Sequence, residues 1–124
     1  MSSTILLDRQ AKYSIVIPIF NEQAILPELW RQLQTVINQL DDVCEVIFID
    51  DGSSDYSYQI LSELYQENHE IKILRLSRNF GHQSALTAGI ENASGKAVIL
   101  MDGDIQDSPQ AINSKIYCQM AARI

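Results

Sequence analysis

Two kinds of hydrophobic pattern alternate along the chain. Tyr13 to Ile19 is a continuous apolar run rich in Ile and Val. A run this short and β-branched predicts a strand buried on both faces. Pro18 is expected near its end, where no ladder donor is needed. Asn21 and Glu22 follow as a turn. From Ala24 to Leu40 the period changes, and Ile25, Leu29, Leu33, Val36, Ile37 and Leu40 recur at three- and four-residue steps. That spacing predicts an amphipathic helix. Pro27 lacks an N–H and is tolerated only in a first turn, so the helix begins close to it. Asp41-Asp42 breaks the pattern, and Cys44 to Ile49 predicts a second buried strand. A polar turn, Asp50 to Asp55, leads into a helix marked by Tyr58, Leu61, Leu64 and Tyr65, with Asp55 expected as its N-cap. Ile71 to Leu76 predicts a third strand and Arg78 to Gly81 a loop. Ser84 to Asn92 predicts a helix with Ala85, Leu86, Gly89 and Ile90 facing inward. Gly95 is expected as a left-handed stop after it. Ala97 to Met101 predicts a fourth strand, Asp102 to Asp107 an acidic loop, and Pro109 the start of a last helix.

Strands alternating with helices predict an α/β fold with a mostly parallel sheet and right-handed crossovers. The 124 residues suit one domain: a polar leader over residues 1–12, then a single α/β unit over 13–124. The composition, 46% hydrophobic and 20% charged, excludes a disordered or fibrous chain. The net charge of -7, with no basic run, argues against a nucleic-acid partner. No apolar stretch approaches the roughly 18 residues needed to span a bilayer. Met1 to Lys12 lacks the layout of a secretory signal, so a cytoplasmic location is expected. Cys44 and Cys118 are too few for a disulfide scaffold and read as free thiols.

In open parallel sheets the ligand crevice lies at the carboxyl ends of the strands. Those ends here are Asn21-Glu22, Asp50-Asp51-Gly52-Ser53, Ser77-Arg78-Asn79 and Asp102-Gly103-Asp104, all polar. The opposite ends carry nothing comparable. In extended backbone, residues two apart point to the same side, so Asp102, Asp104 and Gln106 can offer hard oxygen ligands to one centre. Mg²⁺ and Mn²⁺ prefer such ligands. Asp50 and Asp51 can accept hydrogen bonds from a base or a ribose, as carboxylates do in dinucleotide sites. Arg78 precedes a glycine and a helix start, a setting suited to phosphate. Arg75 and Lys96 read as solvated surface charge, and His82 as an exposed loop or capping residue. The stretch Gly89 to Lys96 imitates a P-loop, but its glycines are one residue too far apart and Ala97 stands where Ser or Thr must hold Mg²⁺. Neither G-x-G-x-x-G nor G-x-S-x-G occurs.

Four stretches taken together resemble the family 2 glycosyltransferases: Ser14 to Glu22, Phe48 to Asp55, Arg78 to Gln83 and Met101 to Asp107. They look most like the branch of dolichyl-phosphate mannosyltransferases and bacterial polyprenyl-phosphate glycosyltransferases. Asn79-Phe80-Gly81 and Gln106-Asp107 point to that branch. The resemblance implies a Rossmann-like GT-A fold and an inverting transfer from a UDP- or GDP-sugar. It implies a nucleotide pocket with Pro18, Phe20 and Glu22, and a base-reading carboxylate at Asp50. It also implies that Asp102, Asp104 and Gln106 hold a metal, Mg²⁺ or Mn²⁺, that bridges the diphosphate. The acceptor of the branch is a lipid phosphate, already ionised, so no general base is implied. The full-length enzyme would then work at the cytosolic face of a membrane. Gly103 and Ser108 stand where the branch usually has Ala and Pro.

Family members continue well past the metal motif, so the chain is expected to be the donor half of such an enzyme. Two alternatives differ in kind. An inactive remnant would bind nucleotide without transferring sugar. A receiver-like signalling domain would use Asp50-Asp51 and Asp102 as its acidic pair and acceptor, but it needs a further strand-helix-strand after the acceptor. Missing cover over Ile105, Ile112, Ile116 and Met120 would favour self-association.

Overall fold

The computed structural model of the protein describes residues 12–40 and 43–101. Within it, β1 (Tyr13–Ile19) pairs in parallel with β2 (Cys44–Asp50) on one side and with β4 (Ala97–Leu100) on the other. Beyond β2 lies β3 (Ile71–Arg75), also parallel, so the strand order is β3-β2-β1-β4. The connections carry α1 (Leu26–Leu40), α2 (Ser57–Glu67) and α3 (His82–Glu91).

The continuous apolar runs arise because both faces of the sheet are covered. Ile15, Ile17 and Ile19 of β1, Val46 and Phe48 of β2 and Ile99 of β4 pack with Leu26, Leu29, Trp30, Leu33 and Val36 of α1 and Leu61 of α2. The alternate positions Val16, Ile47, Ile49 and Val98 pack on the other face, with Ala85, Leu86 and Ile90 of α3. Period-two alternation therefore sorts each strand between two cores. Helix placement follows from handedness. The chain steps outward from β1 to β2 to β3 with α1 and α2 on one face, then returns across the sheet to β4. A right-handed crossover in the opposite direction puts α3 on the opposite face. The order reverses between β1 and β4, where such sheets open a crevice at their carboxyl ends.

Pro18 sits inside the strand, one residue before its end, and is buried. The Val16 carbonyl accepts from Met101 on the β4 side, and the Ile19 carbonyl accepts from Asp51 on the β2 side. Backbone groups alternate sides along a parallel strand, so the N–H that Pro18 lacks would face β4. The paired register with β4 ends at Val16–Leu100, just before that position. Pro27 is the second residue of α1, where its missing donor costs nothing.

Several boundaries differ from the sequence reading. The first helix begins at Leu26, close to Pro27 as expected, and Gln23 to Ile25 before it form a turn on the Glu22 carbonyl. The second strand extends one residue further, to Asp50, and the third ends at Arg75. The helix predicted from Ser84 begins at His82, since Gly81 takes φ 105° and redirects the chain there. The cap of α2 is Tyr56, not Asp55. Asp55 stands one residue outside and accepts the Ser57 N–H at 2.9 Å. Tyr65, expected on the inner face of α2, is exposed. Gly95 is not a left-handed stop. Its role is close approach, because a Cβ there would run into the backbone and hydroxyl of Ser14. The expected acidic loop, last helix and apolar residues from Ile105 to Met120 lie outside the described residues.

Cys44 is a buried free thiol, as expected. Burial, with the nearby carboxylates of Glu45 and Glu70, pushes it up to about 12. It stays protonated and is no nucleophile. Cys118 lies outside the described residues.

Candidate functional site

The carboxyl ends of β1 and β2 are stitched together by short polar side chains. Asn21 adopts φ 52°, a left-handed conformation that Asn tolerates well. There its Oδ1 accepts the backbone N–H groups of Ser54 at 2.8 Å and Asp55 at 3.3 Å. The Asn21 N–H donates to the Ser53 hydroxyl at 2.9 Å, and the Glu22 N–H to the Ser57 hydroxyl at 2.8 Å. Gln23 donates its N–H to Asp55 Oδ2 at 3.3 Å and accepts the Tyr56 N–H at 2.8 Å. Dehydration raises the affinity of the Asp55 carboxyl for its proton, but the bonds from Ser57 and Gln23 outweigh this and hold it below its ordinary value. Sequence reasoning missed Asn21, Gln23, Ser53 and Ser57 as staples. Their only signal was a crowd of turn-forming residues at both strand ends.

Asp50, the last residue of β2, is 0% exposed. Its Oδ1 accepts the Ser53 N–H at 3.1 Å, while Oδ2 has no hydrogen-bond partner. Facing that oxygen at 3.6 Å is Nε of Arg75. The Arg75 guanidinium lies over the Tyr58 ring, 3.9 Å from its centroid. Arg75 is thus no simple solvated charge: the topology sets β3 beside β2, and the register pairs Arg75 with Asp50. Gly52, Ser53, Arg75, Leu76 and Ser77 line an open depression of about 390 Å³ at this edge.

Asp51 serves the neighbouring loop. Its two oxygens accept the N–H groups of Phe80 at 2.9 Å and Gly81 at 3.2 Å, fixing the entry to α3. Gly52, at φ 75°, passes so close to the Arg78–Asn79 peptide that a Cβ would collide with backbone. Gly52→Ala should therefore cost about 1–3 kcal/mol, read as a lowered thermal midpoint.

Of the other residues singled out from the sequence, Pro18 is buried beneath the β1 end, and Phe20 is 45% exposed. Glu22 is half-buried at the start of the turn into α1. The Arg78 guanidinium lies 4.8 Å from the Phe80 ring centroid in the loop that Asp51 holds. Lys96 is exposed, and His82, also exposed, is the first residue of α3. The structure therefore gathers Pro18, Phe20, Glu22, Asp50, Asp51 and Arg78 along one edge of the sheet. Asp102, Asp104 and Gln106 follow Met101 in the chain and lie outside the described residues. Among the described residues no group of three His, Cys, Asp or Glu could hold a metal ion, and no helix is long and apolar enough to cross a membrane.

A parallel sheet with a reversed strand order and helices on both faces is a doubly wound α/β arrangement, here that of a GT-A fold. Solved glycosyltransferases share it. A mannosyltransferase from Pyrobaculum calidifontis, solved with GDP-Man and Mn²⁺, superposes with a TM-score of 0.62 at 21% identity over 77% of this chain and 28% of its own. TarS of S. aureus superposes with a TM-score of 0.61 at 23% identity over 83% of this chain and 20% of its own. The chain belongs to glycosyl transferase family 2, whose pattern matches residues 14–116. It is 42% identical over 106 residues to YkcC, an uncharacterized glycosyltransferase of Bacillus subtilis (strain 168), covering 86% of this chain and 33% of that protein. To sll0501, an uncharacterized glycosyltransferase of Synechocystis sp. (strain ATCC 27184 / PCC 6803 / Kazusa), it is 46% identical over 103 residues, 83% of this chain and 32% of that one. The chain thus spans about a third of the length of these relatives.

Proposed function

We propose that the chain is the donor-binding part of a glycosyltransferase that takes a UDP- or GDP-sugar and passes the sugar to a polyprenyl or dolichyl phosphate. One observation carries the reading. Asp50 ends a central strand as a buried carboxylate with one oxygen unbonded, in contact with Ser53 and Arg75, which line an open depression. Burying an unsatisfied carboxylate oxygen costs stability. A ligand N–H, such as a nucleobase edge offers, removes that cost. Solved relatives of the same fold include one with GDP-Man and Mn²⁺ and one with UDP, GalNAc and Mn²⁺, which supports the donor class.

In this reading Asp50 takes the base, and Pro18, Phe20 and Glu22 form the wall along β1. Asp51 keeps the Phe80–Gly81 loop in place, and Arg78 on that loop offers charge to the phosphates. Two carboxylates and an amide oxygen, Asp102, Asp104 and Gln106, are the hard donor set that Mg²⁺ or Mn²⁺ takes. When bound, the cation would neutralise the diphosphate as it leaves. The acceptor phosphate oxygen attacks the anomeric carbon as the bond to the nucleotide diphosphate breaks, with inversion. That oxygen is already ionised, so no side chain has to remove a proton. Such an acceptor places the work at the cytosolic face of a membrane.

Calorimetric titration of the chain with UDP and with GDP, each with Mn²⁺, Mg²⁺ or a chelator, tests the reading. Binding of one nucleotide that needs metal is expected, lost in Asp102→Ala and Asp104→Ala. Asp50→Ala should weaken it about tenfold, the value of a hydrogen bond to a charged group. Binding that ignores both the chelator and the two substitutions would overturn the metal assignment.

A further inference from the structure

The sequence leaves open which base the site takes, and the pair formed by Asp50 and Arg75 bears on that choice. Resting on the donor-binding reading above, we infer that Arg75, held by Tyr58 beside Asp50, selects a uracil base over guanine or cytosine.

The two oxygens of Asp50 are differently engaged. Oδ1 is engaged by the Ser53 N–H at 3.1 Å, within a turn that other bonds fix. Oδ2 alone is unbonded. A guanine edge presents two adjacent donors, its ring N–H and its amino group, and is matched by a carboxylate with both oxygens available. A uracil edge presents one donor, its imide N–H, flanked by two carbonyls. One available carboxylate oxygen next to a guanidinium is complementary to that edge: Oδ2 accepts the N–H and Arg75 donates to a flanking carbonyl. Cytosine has a bare acceptor nitrogen at the same place, which Oδ2 would repel.

Arg75 is suited to this task by how it is held. The Tyr58 ring at 3.9 Å fixes the plane of the guanidinium while leaving it free to slide along the ring face. Its side chain is 55% exposed, so a ligand can reach it from solvent. At 3.6 Å, Nε is too distant for a hydrogen bond, yet it faces the buried carboxylate oxygen as a loose ion pair. Arg75 also lines the depression together with Ser53, so both neighbours of Asp50 belong to the same wall. A base entering there exchanges the loose ion pair for a direct bond to Oδ2 without leaving either charge uncompensated.

The test is calorimetry on the full chain with UDP, GDP and CDP, each with saturating Mn²⁺, for the parent and for Arg75→Ala, Arg75→Lys and Tyr58→Leu. The parent should bind UDP at least tenfold tighter than GDP or CDP. Arg75→Ala should lose about tenfold in UDP affinity and most of the discrimination. Arg75→Lys should keep charge but recover little, because an ammonium neither stacks nor forks. Tyr58→Leu should reproduce part of the loss with Arg75 intact, which guards against an Arg75 variant that fails to fold. If UDP binds and these substitutions leave the UDP-to-GDP ratio unchanged, Arg75 is only a structural ion pair and the inference falls while the donor reading stands. A parent that prefers GDP or CDP also overturns the inference alone. If no nucleotide binds the parent, both fall together.

Discussion

Phe48→Ala should remove about 3–5 kcal/mol of stability, a large share of the roughly 5–15 kcal/mol that a domain has in total. Phe48 is fully buried near the middle of β2 and is the largest fully buried side chain among the described residues. Its ring meets Trp30 of α1 edge-on, with centroids 6.3 Å apart. It therefore joins the sheet to the helix layer, and a cavity there removes contacts from both. Urea denaturation read by the fluorescence of Trp30, the chain's single tryptophan, measures the loss directly. The milder Phe48→Leu should cost about a third as much, because most of the volume is kept. A midpoint unchanged in Phe48→Ala would mean that β2 does not pack against α1 as described.

The second large effect is expected at the opposite edge of the sheet, where no nucleotide chemistry was proposed. Glu45 is nearly buried, and its Oε2 accepts the Ser14 hydroxyl at 2.5 Å, the Ser94 N–H at 2.6 Å and the Ser94 hydroxyl at 2.9 Å. Its Oε1 pairs with Lys72 at 2.8 Å. Ser14 in turn accepts the Gly95 N–H at 2.7 Å. These bonds tie β1, β2 and β3 to the turn that precedes β4. Glu45→Ala leaves the buried Ser14 hydroxyl and the part-buried Ser94 N–H without their acceptor and should cost about 3 kcal/mol. The pH dependence follows. Burial pushes the Glu45 carboxyl up, but the hydrogen bonds from Lys72, Ser14 and Ser94 together exceed that effect, so its pKa in the folded protein lies below the ordinary value. A depressed carboxyl stabilises fully above its unfolded pKa, and that contribution fades as pH falls through the folded value. Melting temperatures from neutral pH down to about pH 3 should therefore drop more steeply in the parent than in Glu45→Gln, which starts lower. Parallel curves would remove Glu45 as a source of acid sensitivity.

The two edges also show what a sequence discloses. The strands were legible because burial on both faces forces unbroken apolar runs, as in Ile15–Ile19 and Val46–Ile49. The amphipathic face of α1 was legible because Leu29, Leu33 and Val36 keep helical period. Local steric facts were partly legible: Pro27 marked a helix start, but the start of α3 at His82 depended on the φ of Gly81. Contacts between distant residues were not. Nothing near Arg75 announces Asp50 or Tyr58, and Asn21 reveals its partners only after β1 and β2 lie side by side. Nothing in the runs around Ser14 and Glu45 signals that the two face each other in register and share a buried network. Asp50 and Asp51 were legible as a pair of carboxylates, but not their division of labour, one buried against Arg75 and one clamping a loop.

The reversed strand order has a consequence for how the protein is born. On the ribosome, β1, β2 and β3 emerge in the order in which they pair, so three strands can assemble as they are made. The second side of β1 must wait, because Gly95, which docks on Ser14, lies 81 positions later. Until then a row of backbone donors and acceptors in the middle of the finished sheet is an open border. Closing it means bringing together distant parts of the chain, which slows folding relative to local pairing. The nascent protein is therefore most prone to the wrong partner in the interval before Ala97–Leu100 arrives, and a chaperone that shields the free side of β1 would protect it then.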